Sequence, residues 1–263
     1  MKKLGKKKVH IIAVLLFLSV ALIMSMIFVT RQEIIFTSED RTEEFQAAIK
    51  EFEEQNVVGW IRVQGTNIDI PVLGFEGWMD LSSETANFAW KNTLPDETHN
   101  RIVIEGHNIR NVSSNPMIGN ENHSRFEQLK SFVYEDFARE NLYIEYFDGE
   151  EKHIYAIYGI GFIPYSANRP FAFDMTRAEK RELIEFVREN SYFEFDIEVT
   201  EEDRLLTLIT CTRMFGSTTR YSFVVNARRL RSNEQPVRYD MRVRDNYEIL
   251  LEAMRGDGNN EEI

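Results

Sequence analysis

The chain has 263 residues, a formal charge of −12 (31 Lys+Arg against 43 Asp+Glu) and a single cysteine. One cysteine excludes an intrachain disulfide framework and Cys-rich zinc modules, and the acidity argues against a general nucleic-acid binder. With 43% apolar and 12% aromatic residues, there is enough apolar surface for a real core, in one large domain or two small ones.

Residues 1–10 carry five lysines and no acid, so the rest of the chain holds 26 basic and 43 acidic groups, a net of −17. The run 11–29 that follows (IIAVLLFLSVALIMSMIFV) is uncharged. At 1.5 Å per residue it would be about 28 Å long, close to a hydrocarbon core. A lysine cluster ahead of it predicts a cytoplasmic N-terminus. A cleavable signal peptide would have a shorter apolar region and an A-x-A-like site, which is absent here. The expectation is a basic stub (1–10), a single-pass anchor (11–30) and an extracellular domain (31–231). A polar extension, 232–263, ends the chain. A disulfide-free extracellular domain suits a Gram-positive-like surface and makes an exposed Cys211 unusual.

Residues 38–55 read as a helix, capped by Ser38 or Thr42, with Phe45, Ala48, Ile49 and Phe52 on one face. Strand-like segments follow at 57–63 and 68–72, then RIVIE at 101–105 ending in Gly106-His107-Asn108. Residues 125–140 predict a helix through Phe126, Leu129, Phe132, Val133 and Phe137. Strands at 142–147 and 153–162 flank an Asp148-Gly149 turn, and Thr176 with Glu179 forms a capping-box pattern for a helix to Asn190. Strands at 205–210 and 221–227 flank a loop, and one weak helix lies near 247–254. Short strands outnumber helices, which predicts a mostly-β, barrel-like domain with peripheral helices.

The histidines (His10, His99, His107, His123, His153) lack HExxH or i, i+4 pairing, and no phosphate-cradling loop or G-x-S-x-G elbow is present. A thiol nucleophile remains. Cys211 ends the apolar run 205–210 and opens a polar loop, a place where scaffolds present reactive groups; taken alone it reads equally as a small buried hydrophobe. His107 stands at a strand end after a glycine, where a structural role is also common. Arg220 precedes the strand YSFVV, and Arg213 is an equally basic neighbour; each also reads as a solvated edge charge. Together, thiol, imidazole and guanidinium suit acyl transfer.

Three segments carry a resemblance to the sortases, cysteine transpeptidases of Gram-positive surfaces. They are Thr207-Leu208-Ile209-Thr210-Cys211, Gly106-His107-Asn108 and Thr219-Arg220 before Tyr221-Ser222-Phe223-Val224-Val225. The segments Asn56 to Ile61 and Thr66 to Val72 resemble the start of the sortase barrel. The anchor, the N-terminal helix and the helix from Thr176 to Asn190 look most like class B. Over residues 40 to 230 the resemblance implies an eight-stranded β-barrel, with Cys211 as nucleophile, His107 as general acid/base and Arg220 as oxyanion or substrate stabiliser. Thr210, Asn108 and Arg213 are candidate substrate contacts. No cofactor and no metal are implied.

The implied reaction cleaves a sorting motif, NPxTN-like or LPxTG-like, after its threonine. A thioacyl-enzyme is then resolved by an amine of a cell-wall precursor or by a pilin lysine. The implied partners are sorting-motif-bearing surface proteins or pilins and the membrane, with no nucleic acid. Wall anchoring, pilus polymerisation, a purely hydrolytic surface peptidase and a non-enzymatic surface-binding module all stay open. Departures from the family pattern are Thr212 and Arg213 where an acid often follows the cysteine, and Glu105 where an aromatic residue is common. Residues 111–124 look like an insertion after the histidine that borders the groove.

Overall fold

The β-branched and aromatic runs at 57–63 and 69–74 form β1 (Val57–Val63) and β2 (Asp69–Gly74), an antiparallel hairpin with Trp60 opposite Pro71 and Arg62 opposite Asp69. The computed structural model describes Ser19 and residues 40–52, 56–74, 89–91, 100–164, 175–216 and 221–256. Apart from Ser19, the basic stub and the expected anchor lie outside these residues. Among the described residues, no helix is long and apolar enough to cross a membrane. The elements below belong to the unit formed by Thr37–Gln235 and Tyr239–Ile263.

Strand β2 pairs in parallel with β3 (Ala89–Lys91), and β3 is antiparallel to β4 (Arg101–Gly106). Strand β4 runs parallel to β8 (Leu205–Thr212), whose other edge holds β9 (Tyr221–Arg229). Next come the long β6 (Lys152–Pro164) and β5 (Tyr143–Phe147), and β5 returns to β1. The order β1-β2-β3-β4-β8-β9-β6-β5 closes a barrel of eight strands, which leaves no edge unpaired.

Both faces of β8 are covered, which is why its sequence reads as an almost unbroken apolar run. Leu206, Leu208, Phe223 and Val225 are fully buried on one face. On the other face Leu205 packs in a cluster with Leu183, Ile184 and Val187 of α3 (Arg177–Asn190), while Ile209 joins Val103, Ile163 and Val224. The predicted Thr176–Glu179 capping box starts α3, and Gly161 lets this layer close down: a Cβ there would stand 2.7 Å from the Asn190 carbonyl oxygen.

Three sequence expectations are revised. The first helix, α1 (Thr42–Glu51), is shorter than expected; Thr42 is its first residue rather than its cap, Asp40 accepts from the Thr42 amide (3.0 Å) and hydroxyl (2.6 Å), and the other expected cap, Ser38, lies outside the described residues. The single helix expected over 125–140 is broken into a 3₁₀ segment, Glu127–Val133, and α2 (Glu135–Glu140), with Tyr134 extended between them. Phe126, Leu129 and Phe132 recur every third residue, the period of a 3₁₀ helix, and all three are fully buried. Finally, the polar extension adds a strand to the helix expected near 247–254. β10 (Met241–Val243) pairs with β7 (Phe193–Phe195), and α4 (Tyr247–Gly256) buries Tyr247, Leu250 and Met254.

Candidate active site

The parallel register of β4 and β8 sets Arg101 beside Leu205 and Glu105 beside Ile209. One step further, the hydroxyl of Thr210 donates to the carbonyl of Gly106 at 2.7 Å. His107 and Cys211 therefore leave adjacent strands at the same level. Gly106 is required here: a Cβ would stand 2.3 Å from the Phe126 ring. The same aromatic residue accepts the turn, its amide donating to the His107 carbonyl at 3.1 Å.

Asn108 ties the two strand ends together. Its side-chain amide donates to the carbonyls of Cys211 (3.1 Å) and Asn111 (2.9 Å), and its oxygen accepts from the Asn111 amide (3.0 Å). Both Asn108 and Thr210, expected as substrate contacts, are buried and bonded within the wall of the site. Arg213 is exposed beyond Cys211, with its backbone amide donating to Val112 at 2.9 Å. Arg220 lies outside the described residues; its neighbour Tyr221 is paired with Thr212, one residue beyond Cys211.

The segment after His107 is organised by the buried carboxylate of Glu127. One of its oxygens accepts from the amides of Ile109 (3.3 Å) and Arg110 (3.0 Å), the other from Ser124 (2.8 Å), so a single side chain holds both ends. Asn111 clasps Met117 from both directions, and the buried Lys130 donates to the Ser113 carbonyl. With the backbone fixed in this way, Ile109, Met117 and Ile118 remain exposed beside the histidine. In the loop after Cys211, the Phe215 ring meets Phe162 edge-on and Tyr221 at a tilt, each 5.1 Å away by ring centroid. Sequence reasoning singled out none of these supporting residues, because their partners are set by tertiary contact.

Electrostatics keep the central pair neutral at rest. Cys211 is exposed, yet the protein around the strand end desolvates its sulfur. That desolvation, together with the charge of Glu105, pushes the thiol above its ordinary 9.0, with Arg213 acting in the opposite direction. Burial and the nearby Arg125 hold His107 below its ordinary 6.5. Of the other histidines, His123 is buried, His153 bonds Asp148 at 2.7 Å, and His10 and His99 lie outside the described residues. Two surface clefts, one at Trp60, Arg62 and Glu145 and one at Phe193, Glu194 and Arg242, include no candidate site residue.

No family model matches the chain. Sortase B of Staphylococcus aureus (strain NCTC 8325 / PS 47) is 24% identical over 185 residues, 65% of this chain and 69% of that protein. The solved structure of Clostridium perfringens sortase B superposes with a TM-score of 0.57 at 24% identity, over 71% of this chain and all of that one. A Staphylococcus aureus sortase B–substrate complex gives a TM-score of 0.53 at 18% identity, over 73% and 94% of the two chains. By fold the chain is a sortase-like barrel, and by sequence a homologue of sortase B, so that class B is the branch of the sortases it resembles most.

Proposed function

We propose that the chain is a sortase-type cysteine transpeptidase that cleaves a threonine-containing sorting motif and transfers the acyl fragment to an amine of a cell-wall precursor. The observation that carries this reading is the level pairing of Cys211 and His107 at the ends of β8 and β4, locked by the Thr210–Gly106 and Asn108–Cys211 hydrogen bonds. Placing two reacting groups in fixed register removes the entropy of bringing them together. The likeness to sortase B supports the same chemistry.

In the first half-reaction the Cys211 proton passes to neutral His107, and the thiolate attacks the carbonyl carbon of the motif's threonine. The imidazolium then protonates the leaving amine as the C–N bond breaks. A guanidinium opposite the developing oxyanion is assigned to Arg220, with Arg213 as a substrate contact. Cys211 is reached from solvent, which lets a long peptide enter. The remaining assignments are an N-terminal single-pass anchor over 11–30 and a catalytic domain outside the cell. Attachment to the wall rather than pilus polymerisation is the reading preferred for the acceptor.

A peptide-library screen with triglycine as added amine tests this reading. The expected result is cleavage after threonine with triglycine joined to the new C-terminus. Cleavage that yields only hydrolysed product at saturating triglycine would make the chain a peptidase, and no cleavage of any threonine motif would sink the substrate assignment.

A further inference from the structure

The acceptor of the second half-reaction arrives as a cation, and one side chain in the site suits it. Glu105 is paired with Ile209 in the β4–β8 register. Cys211 lies two residues beyond Ile209 on β8, so Glu105 and Cys211 share one face of the sheet. Their charges interact, Glu105 being the largest charge influence on the thiol. Glu105 is half-buried, and among the described residues no cation pairs with it. Its own carboxyl is held above the ordinary range by burial. A partly desolvated carboxylate without a counterion costs stability, and beside a thiol nucleophile it also disfavours the reactive thiolate. Both costs are relieved when a cation binds.

We propose that Glu105 is the acceptor-binding residue of this site, holding the ammonium of the incoming amine next to the thioacyl group on Cys211. The proposal rests on the transpeptidase reading for its acceptor and narrows that acceptor to a primary ammonium. The bound ammonium gives one proton to His107, which is neutral after protonating the first leaving group. The free amine attacks the thioester carbonyl, the C–N bond forms and the C–S bond breaks. The nitrogen's second proton goes to the departing sulfur, which restores the Cys211 thiol, and the imidazolium returns its proton to solvent. Ion pairing thus concentrates the amine where its lone pair is needed, and water, being uncharged, gains nothing from it.

The deacylation step can be isolated without a sorting peptide. Cys211 of the purified full-length chain is acetylated with p-nitrophenyl acetate, and loss of the acetyl group is followed by intact mass with triglycine, hydroxylamine or water. At about pH 7.5 the α-amino group of triglycine is largely charged, whereas hydroxylamine is not. Glu105→Gln is expected to slow deacylation by triglycine about tenfold, the loss of one charge-assisted contact. Hydroxylamine and water should be affected less than about twofold. An unchanged triglycine rate would overturn the proposal. An equal loss with all three nucleophiles would overturn it too, by showing a structural role. Acetyl-Cys211 forms whether or not a peptide motif is ever found, so failure of the peptide screen and failure of the Glu105 proposal are separate results.

Discussion

Cys211 and His107 are displaced in opposite directions, the thiol above 9.0 and the imidazole below 6.5. At neutral pH the dominant form is thiol with neutral imidazole, and the reactive thiolate–imidazolium pair is a minority carrying the same number of protons. Its fraction is constant between the two pKa values. It falls below the lower one, where both groups are protonated, and above the upper one, where both are deprotonated. The profile of kcat/KM against pH should therefore be a broad bell, with its acid limb below 6.5 and its alkaline limb above 9.0. A plateau that begins only above 7 would contradict the assignment of the acid limb to His107. Thr210 and Asn108, expected as substrate contacts, also hold the site together. Both stand beside chemistry-bearing residues in sequence, but their polar atoms are bonded to Gly106 and Cys211 backbone.

At the scale of elements, the segment 108–124 is a wall held from below by the 3₁₀ segment. Lys130 in that segment is fully buried, its ammonium donating to Ser113, and burial lowers its pKa to about 7. An unfolded lysine keeps its proton to about 10.5, so between these values the unfolded chain binds more protons than the folded one. Stability must then rise with pH through that window, with a slope of up to about 1.4 kcal/mol per unit. The lowered histidines, His107 and His123, make their contributions below 6.5, and Cys211 acts above 9.0 in the opposite sense. Denaturant titrations at about pH 7.5 and 8.5 should show wild type gaining roughly 1 kcal/mol, and Lys130→Met, which keeps the apolar stem, gaining almost none. Equal gains in the two proteins would refute a buried, titrating Lys130.

The same scale explains what could be read in advance. The run LLTLIT at 205–210 signalled a strand because β8 is covered on both faces, and Thr176 with Glu179 signalled α3 because a cap is a local interaction. The 125–140 segment misled because periods of 3.0 and 3.6 differ little over so short a span. Strands β3, β7 and β10 are three residues each, too short to show alternation. Glu127, with partners at 109, 110 and 124, had no local signature at all. Glu105 stood out in the sequence only as a departure from a pattern; the β4–β8 register turned it into a neighbour of the thiol.

For the whole molecule, the chain's later residues complete the fold that carries the site. The Tyr239 hydroxyl reaches the carbonyls of Leu142 (3.0 Å) and Ile157 (2.7 Å), and that of Tyr247 donates to Val133 at 3.0 Å. Arg228 and Glu234 form a two-point ion pair, and Arg231 grips Asp203. These contacts fasten the segment after β9 onto β5, β6 and the 3₁₀ segment beneath the histidine wall. The barrel thus presents Cys211 from a strand that cannot move independently of its neighbours. The central claim is that this thiol carries the acyl group. Its most direct test is intact-mass spectrometry of the full-length chain during turnover of a peptide that it cleaves. The account predicts an adduct on Cys211 equal in mass to the peptide fragment ending in threonine, discharged on addition of triglycine and absent in Cys211→Ala. Cleavage that proceeds in Cys211→Ala, or without any adduct on Cys211, would contradict it.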